Sequence, residues 1–374
     1  MITPRLEIDL DKIHHNASTL VGRLKRLGIS VTGITKAFRG APQIAQILQR
    51  AGVSGLGDSR IENIERMRRG GIDGHMTLVR SPMISQVDRV VAAADVSFNT
   101  ELDVIAELSR SAQKARKGHG VILMVELGDL REGIMPCDVA KTVQTVRHLP
   151  NIRLMGLGAN LACRSGVAPD NTNMETLSAL ADQVHNRGDP VGFVVSGGNS
   201  SNLSWVFGGG HLRRINNLRL GEAILCGCDP LHGRHIPGLY SDAIKLVAEV
   251  IESKIKPTRA WGEIGLAPFG PAPVACDDGN IFQSLLAIGQ QDIDPCGLHP
   301  LSNVTVLGAS SDHLVLNTGA SPLVLGTEVS FQPDYSALLR AMTSPYVTQT
   351  FRGNVMAVAP PVGQFRVSYY SGTA

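Results

Sequence analysis

Eight short apolar runs, each followed by a segment with helical spacing, restrict this chain more than any other feature. They are "VTGITK" (31–36), "VSGLGDS" (53–59), "MTLVRS" (76–81), "DVSFN" (95–99), "VILMVEL" (121–127), "RLMGLGANL" (153–161), "GFVVSGG" (192–198) and "NLRLGEAIL" (217–225). Between them, "APQIAQILQRAG" (41–52) and "RIENIERMRRGG" (60–71) place apolar residues three and four apart, the signature of amphipathic helices. Near-continuous apolar strands alternating with helices imply parallel strands buried on both faces. Eight such units predict a (β/α)8 TIM-type barrel over residues 1–234. From residue 235 the helical spacing fades. Short strands such as "AIKLVAEVIESKI", "VTVLGASS", "DHLVLNTG" and "EVSFQP", punctuated by Gly, Pro and Asp, predict a mostly-β domain over 235–374, with a patternless tail after Arg352.

Composition narrows the partners. The net charge is only +2 and aromatics make up 4%, so neither a phosphate-binding basic surface nor a base-stacking platform is expected. No run approaches the about 18 apolar residues of a membrane span, and the first residues lack a basic-then-apolar leader. Six cysteines without C-x-x-C spacing fit reduced thiols, and the expectation is a cytoplasmic protein that binds neither nucleic acid nor membrane.

In such barrels chemistry gathers at the C-terminal ends of the strands. Read at those ends, the runs terminate in Lys36, in "GDS" with Asp58, in "GDLREG" with Arg131, in Asn160, in "SGGNSSN" and in "RLGE" with Arg219. A lysine just past a strand end is commonly a surface residue. Here it shares a mouth with two arginines and a Gly/Ser turn, so an amine nucleophile or proton carrier is the stronger reading. Gly198, Asn199 and Ser200, with Gly221 and Glu222 after the last strand, are candidates to cradle a phosphate, although such a turn can be structural only. Lysine plus phosphate site suggests pyridoxal 5'-phosphate held on Lys36 as a Schiff base.

At this point the chain resembles the alanine racemase superfamily of barrel-type pyridoxal-phosphate enzymes, and within it most closely the ornithine racemase branch. The likeness rests on "DSRIEN", "ELGDLREGI", "VSGGNSS", "NLRLGEA", "GEIG", "LAIGQQD", "LGASSDHL" and "YSALLRAMTSPY", and covers about residues 5–350. It implies an amino-acid racemase acting on ornithine or another basic amino acid, as a homodimer whose β domain contributes to the partner's site. Alternatives are a racemase of alanine or of broad specificity, a non-catalytic carrier of the cofactor, and a decarboxylase of the same layout.

The resemblance implies roles. Lys36 matches the cofactor-bearing lysine and first base, and Arg219 the arginine facing the pyridine nitrogen. Arg131 matches an arginine near the cofactor and the substrate carboxylate, with an ion pair to Glu132 or Asp129 as its structural alternative. Asn160 stands where a histidine supports the arginine, and Tyr346 lies near a phosphate-reaching tyrosine. The departures matter as much. "TKAFRG" lacks the tyrosine that follows the lysine in relatives, and Phe269 occupies the position of the second proton carrier. Racemisation needs a group on each face of the α-carbon. Asp312 and His313, with Ser311 beside the substrate, are the candidates in the "SSDHL" loop, against a plain turn histidine. Cys276 and the pair Cys226/Cys228 are weaker ones. A distal ammonium on the substrate calls for a carboxylate among Asp58, Asp129 and Glu222. "HGRHIPG" (232–238) offers two histidines but no third metal ligand, so no metal is expected.

Overall fold

The computed structural model describes residues 2–185, 192–266, 269 and 279–353. Contacts divide them into two compact units, Lys12–Tyr240 and the combination of residues 2–11 with Ser241–Gly353.

In the first unit all eight anticipated strands form. After β1 (Arg5–Asp9), which belongs to the second unit, they are β2 (Ser30–Ile34), β3 (Gly55–Asp58), β4 (Met76–Leu78), β5 (Val96–Asn99), β6 (His119–Val125), β7 (Ile152–Ala159), β8 (Val194–Ser196) and β9 (Asn217–Leu220). They pair in chain order, every pair parallel, and β9 closes on β2 through Val31↔Leu218 and its neighbours. Every residue of β6 and β9 is buried, as strands covered on both faces require. Helices α1 (Leu10–Lys25), α2 (Pro42–Arg50), α3 (Ile61–Arg69), α4 (Val87–Ala93), α5 (Leu102–Lys114), α6 (Val139–Arg147), α7 (Asn171–Val184), α8 (Asn202–Phe207) and α9 (Glu222–Cys226) alternate with them. Their apolar stripes face inward, for example Ile44, Ile47 and Leu48 on α2 and Ile61, Ile64 and Met67 on α3. A core of Val96, Phe98, Ile122, Met124 and Met155 fills part of the barrel.

The second unit is an eight-stranded sheet. After a two-residue ribbon of β10 (Cys228–Asp229) and β11 (Arg234–His235) come β12 (Ile244–Pro257), β13 (Asn280–Leu286), β14 (Leu298–Pro300), β15 (Thr305–Ala309), β16 (Leu314–Asn317), β17 (Glu328–Pro333) and β18 (Thr348–Arg352). The order is β14-β17-β12-β13-β16-β15, with β1 antiparallel to β12 and parallel to β18. Residues 5–9, read from sequence as the start of the barrel domain, therefore sit in this sheet. Arg5, only 5% exposed, ties the strands by pairing with Glu7 and with Glu328 at 2.7 Å. The tail beyond Gly353 lies outside the described residues.

Candidate active site

The C-terminal ends of the barrel strands carry two anchoring carboxylates. Lys36 follows β2 directly, half-buried, and opens a single 3-10 turn, Lys36–Phe38. Behind it the Thr35 hydroxyl donates to Asp58 Oδ2 at 2.6 Å. Asp58 is fully buried at the end of β3 and also accepts from the Arg60 amide at 2.8 Å and Asn63 Nδ2 at 3.0 Å. Burial nevertheless outweighs these bonds and the nearby Lys36 charge, and pushes its carboxyl above the usual range. Across the mouth, Asp129 is 1% exposed and accepts from the amides of Cys163, Arg164 and Ser165 at 3.0–3.2 Å. Burial alone would raise Asp129, but these backbone donors hold it below the usual range. Both carboxylates hold loops in place, which leaves neither positioned as a simple counter-ion for a substrate ammonium.

The segment "ELGDLREG" is equally committed. Glu126 accepts from the amides of Gly128, Leu130 and Arg131, shaping the turn after β6. Arg131 pairs with Glu132 through Nε and a terminal nitrogen, a fork-to-carboxylate arrangement that orients the guanidinium.

Arg219, on β9, is the least ordinary group. It is 5% exposed, and all its protein acceptors are neutral. One terminal nitrogen donates to the Ser196 carbonyl and to Ser196 Oγ at 2.7 Å. The other donates to the Ala159 carbonyl at 2.8 Å and Asn160 Oδ1 at 3.2 Å. The guanidinium also lies over the Phe98 ring, 5.1 Å from its centroid. Burial, and then the charge of Arg131, push its pKa down to about 10, so it remains charged at neutral pH. Four of its five N–H groups are thus used, and among the described residues Nε–H has no partner. Asn160 Nδ2 is likewise buried without one, its oxygen being shared by Arg219 and Asn199.

The "SGGNSSN" turn is partly filled by its own side chains. The Asn199 amide donates to Asn202 Oδ1 and the Ser201 amide to Asn199 Oδ1. Gly198 has φ +151°, and a Cβ there would lie 2.0 Å from Asn202 Oδ1, so only glycine fits. Buried Ser200 accepts from the Ala223 amide at 3.2 Å, joining this turn to Gly221 and Glu222 at the start of α9.

Comparison with known proteins follows this geometry. Residues 8–229, more than half of the chain, match the family described as alanine racemase, N-terminal domain. The chain belongs to the alanine racemase family. An ornithine racemase from Acetoanaerobium sticklandii is 35% identical over 92% of this chain and 98% of that protein. A lysine racemase from Thermotoga maritima is 36% identical over 95% of this chain and 100% of that protein. The crystal structure of an alanine racemase from Streptomyces lavendulae, 18% identical, superposes with a TM-score of 0.71 over 94% of this chain and 98% of that one, which shows the shared fold.

Several of the remaining candidates of this family member lie in its β unit. Ser311, Asp312 and His313 are exposed on the turn between β15 and β16, where Ser311 Oγ donates to Asp312 Oδ2 at 2.9 Å. That turn is pinned by Gln290, whose amide donates to the Ser310 carbonyl at 2.9 Å. Tyr346 is 69% exposed, Phe269 is an exposed turn residue, and Cys276 lies outside the described residues. Among the described residues no cluster of His, Cys, Asp and Glu suits a metal; His232 instead binds Asp229 at 2.7 Å. Cys226 is buried and Cys228 half-buried. No helix among the described residues is long and apolar enough to cross a membrane.

Sequence reading missed Thr35, Ser196 and Asn217 as supports of the site. The signal was present for Asn217, a polar residue two before Arg219 in an otherwise apolar strand, hence on the same face. A cavity of about 1390 Å³ opens at the opposite end, lined by strand starts including Ser30, Gly55, Val96 and Asn217, away from Lys36.

Proposed function

We propose that this protein is a cytoplasmic, pyridoxal-phosphate-dependent racemase that interconverts the L and D forms of a basic amino acid, ornithine or lysine. The observation that carries the reading is Arg219: a buried, permanently charged donor with neutral supports and one N–H left for an acceptor. A guanidinium can donate to a pyridine nitrogen but cannot accept from it. An acidic residue at that position would strengthen the electron sink; Arg219 restrains it, which suits proton removal and return and disfavours decarboxylation. The two relatives named for ornithine and lysine support the substrate class.

Pyridoxal phosphate, carried on Lys36, supplies the electron sink that acidifies the α-carbon of an amino acid. The Gly198–Ser200 turn, Gly221 and Glu222 would hold its phosphate, and Tyr346 is the β unit's candidate for the same group. Arg219 and Asn160 address the ring edge through Nε–H and Nδ2. Arg131, steadied by Glu132, would receive the substrate carboxylate, and Ser311 of the β unit is a second candidate for that group. Lys36 Nζ takes and returns the proton on one face, and the Asp312/His313 turn serves the other. Two copies assemble head to tail so that each β unit completes its partner's site.

Chiral analysis after incubation with pure enantiomers of ornithine, lysine, arginine and alanine tests the assignment. Ornithine or lysine is expected to racemise fastest, and faster turnover of alanine would overturn the substrate class. Lys36→Ala should abolish α-proton exchange in deuterated water; exchange at the normal rate would refute the role of Lys36.

A further inference from the structure

One side of the barrel interior carries an unbroken line of polar groups through an otherwise apolar packing. Arg219 donates to Ser196 Oγ at 2.7 Å, and the same hydroxyl donates onward to Asn217 Oδ1 at 2.7 Å. Asn217 Nδ2 donates to Thr32 Oγ1 and Ser30 Oγ, each at 3.1 Å, and the Ser30 hydroxyl ends the line at the Asn216 carbonyl, 2.9 Å away. Ser196 is 0% and Asn217 6% exposed. The line crosses three adjacent strands, β8, β9 and β2, and uses the inward positions 217 and 219 of β9 with 30 and 32 of β2.

Its polarity has a single sense. A guanidinium only donates, so Ser196 must accept from it and give its one hydrogen to Asn217. That requirement turns the Asn217 amide oxygen toward Ser196 and its nitrogen toward the two hydroxyls of β2. Hydrogen bonds arranged head to tail in a low-dielectric interior reinforce one another, and none can be reversed without orphaning another buried group.

We propose that Ser196 and Asn217 are positioning residues for Arg219, fixing the roll of its guanidinium so that Nε–H stays aimed at the ligand ring. The inference rests on the racemase reading above and adds residues that no motif assigns to it. Asn160 and Ala159 hold only the second terminal nitrogen; without Ser196 Oγ the first keeps only the long 3.4 Å bond to the Ser196 carbonyl, and the group is freer to turn about the remaining pair. The first serine of "SGGNSSN" thus serves the arginine, and its hydroxyl is used up before any phosphate.

The test compares Ser196→Ala, Asn217→Ala and their double variant as full-length protein loaded with pyridoxal phosphate. Ser196→Ala is expected to lower kcat on the order of tenfold with KM changed less than about twofold, and to displace the absorbance band of the bound cofactor. Asn217→Ala should do the same more weakly. The double variant should be no worse than Ser196→Ala, because the line is already broken. Ser196→Thr keeps the hydroxyl between Arg219 and Asn217; it is expected to retain the wild-type band and carries the test if the alanine variants fail to fold, since a displaced band with the hydroxyl present would overturn the proposal. An unmoved band in Ser196→Ala, or effects of the singles that multiply in the double, would overturn it as well. Failure of the wild type to bind pyridoxal phosphate would instead bring down the racemase reading itself. With binding intact and Lys36→Ala inactive, a silent Ser196→Ala defeats the positioning role alone.

Discussion

The barrel and the β unit present the same kinds of side chain in opposite settings. Asp58, Asp129 and Arg219 are at most 5% exposed, and each is held by at least three hydrogen bonds. Ser311, Asp312 and His313 are exposed on a turn and bond mainly to one another or to Gln291 and Ser310. The titration of all three barrel groups is displaced: burial pushes Asp58 upward and Arg219 down to about 10, while backbone donors hold Asp129 down against burial. The difference teaches where preorganisation resides. Barrel groups are set by the fold and stay set without ligand, whereas the turn holds its groups at the surface by a few exposed bonds, so changing them should touch chemistry and leave folding alone.

Asp129→Ala puts the largest strain on that contrast. It strands the amides of Cys163, Arg164 and Ser165, and urea unfolding should show a loss of about 3 kcal/mol or more. A loss below about 1 kcal/mol would mean that the loop is not held from this carboxylate. Asp58→Asn comes next, with a change of about 1 kcal/mol and a diagnostic pH dependence. Because the folded carboxyl of Asp58 titrates above its ordinary 3.8, the stability it contributes is present below that pH and disappears as pH rises through the raised value. Asp129 runs the other way: its contribution is present above the ordinary 3.8 and is lost as pH falls through its depressed value. Removing Asp58 should therefore flatten the stability curve on its rising-pH side only, as read by unfolding at a series of pH values. His313→Ala should be the mildest, within about 0.5 kcal/mol of wild type. If His313 serves one face, that variant keeps α-proton exchange for one enantiomer while racemisation falls; equal loss for both enantiomers would place the second carrier elsewhere.

Much of the fold was legible because parallel barrel strands are buried on both faces and therefore read as continuous apolar runs. All eight could be located from that property, and the tips holding Lys36, Asn160 and Arg219 came with them. "RLEID" carried no comparable mark. Its assignment depends on β12 and β18, hundreds of residues away, and no local period encodes a partner at that distance. The strands β13, β14 and β18, short or mixed in pattern, were hidden for the same reason. At the site, residue type and strand position exposed the chemistry-bearing groups but not what supports them. Asp58 and Asp129 look like available acids until the amides that they accept from are known, and those donors come from Arg60 and from residues 163–165 after a different strand.

The pairing of β1 with β18 also orders events during synthesis. Arg5 faces Thr348 in the register, so the first strand of the sheet cannot acquire this neighbour until 343 further residues have been translated (348 − 5). At ribosomal speeds of about 5–20 residues per second, that is a delay on the order of tens of seconds. During it the chain of Lys12–Tyr240, whose barrel strands pair only with one another, has emerged in full. The nascent protein should therefore acquire its barrel first and close its terminal sheet last, with the apolar Leu6 and Ile8 meeting β12 about a hundred residues before β18 arrives on their other side.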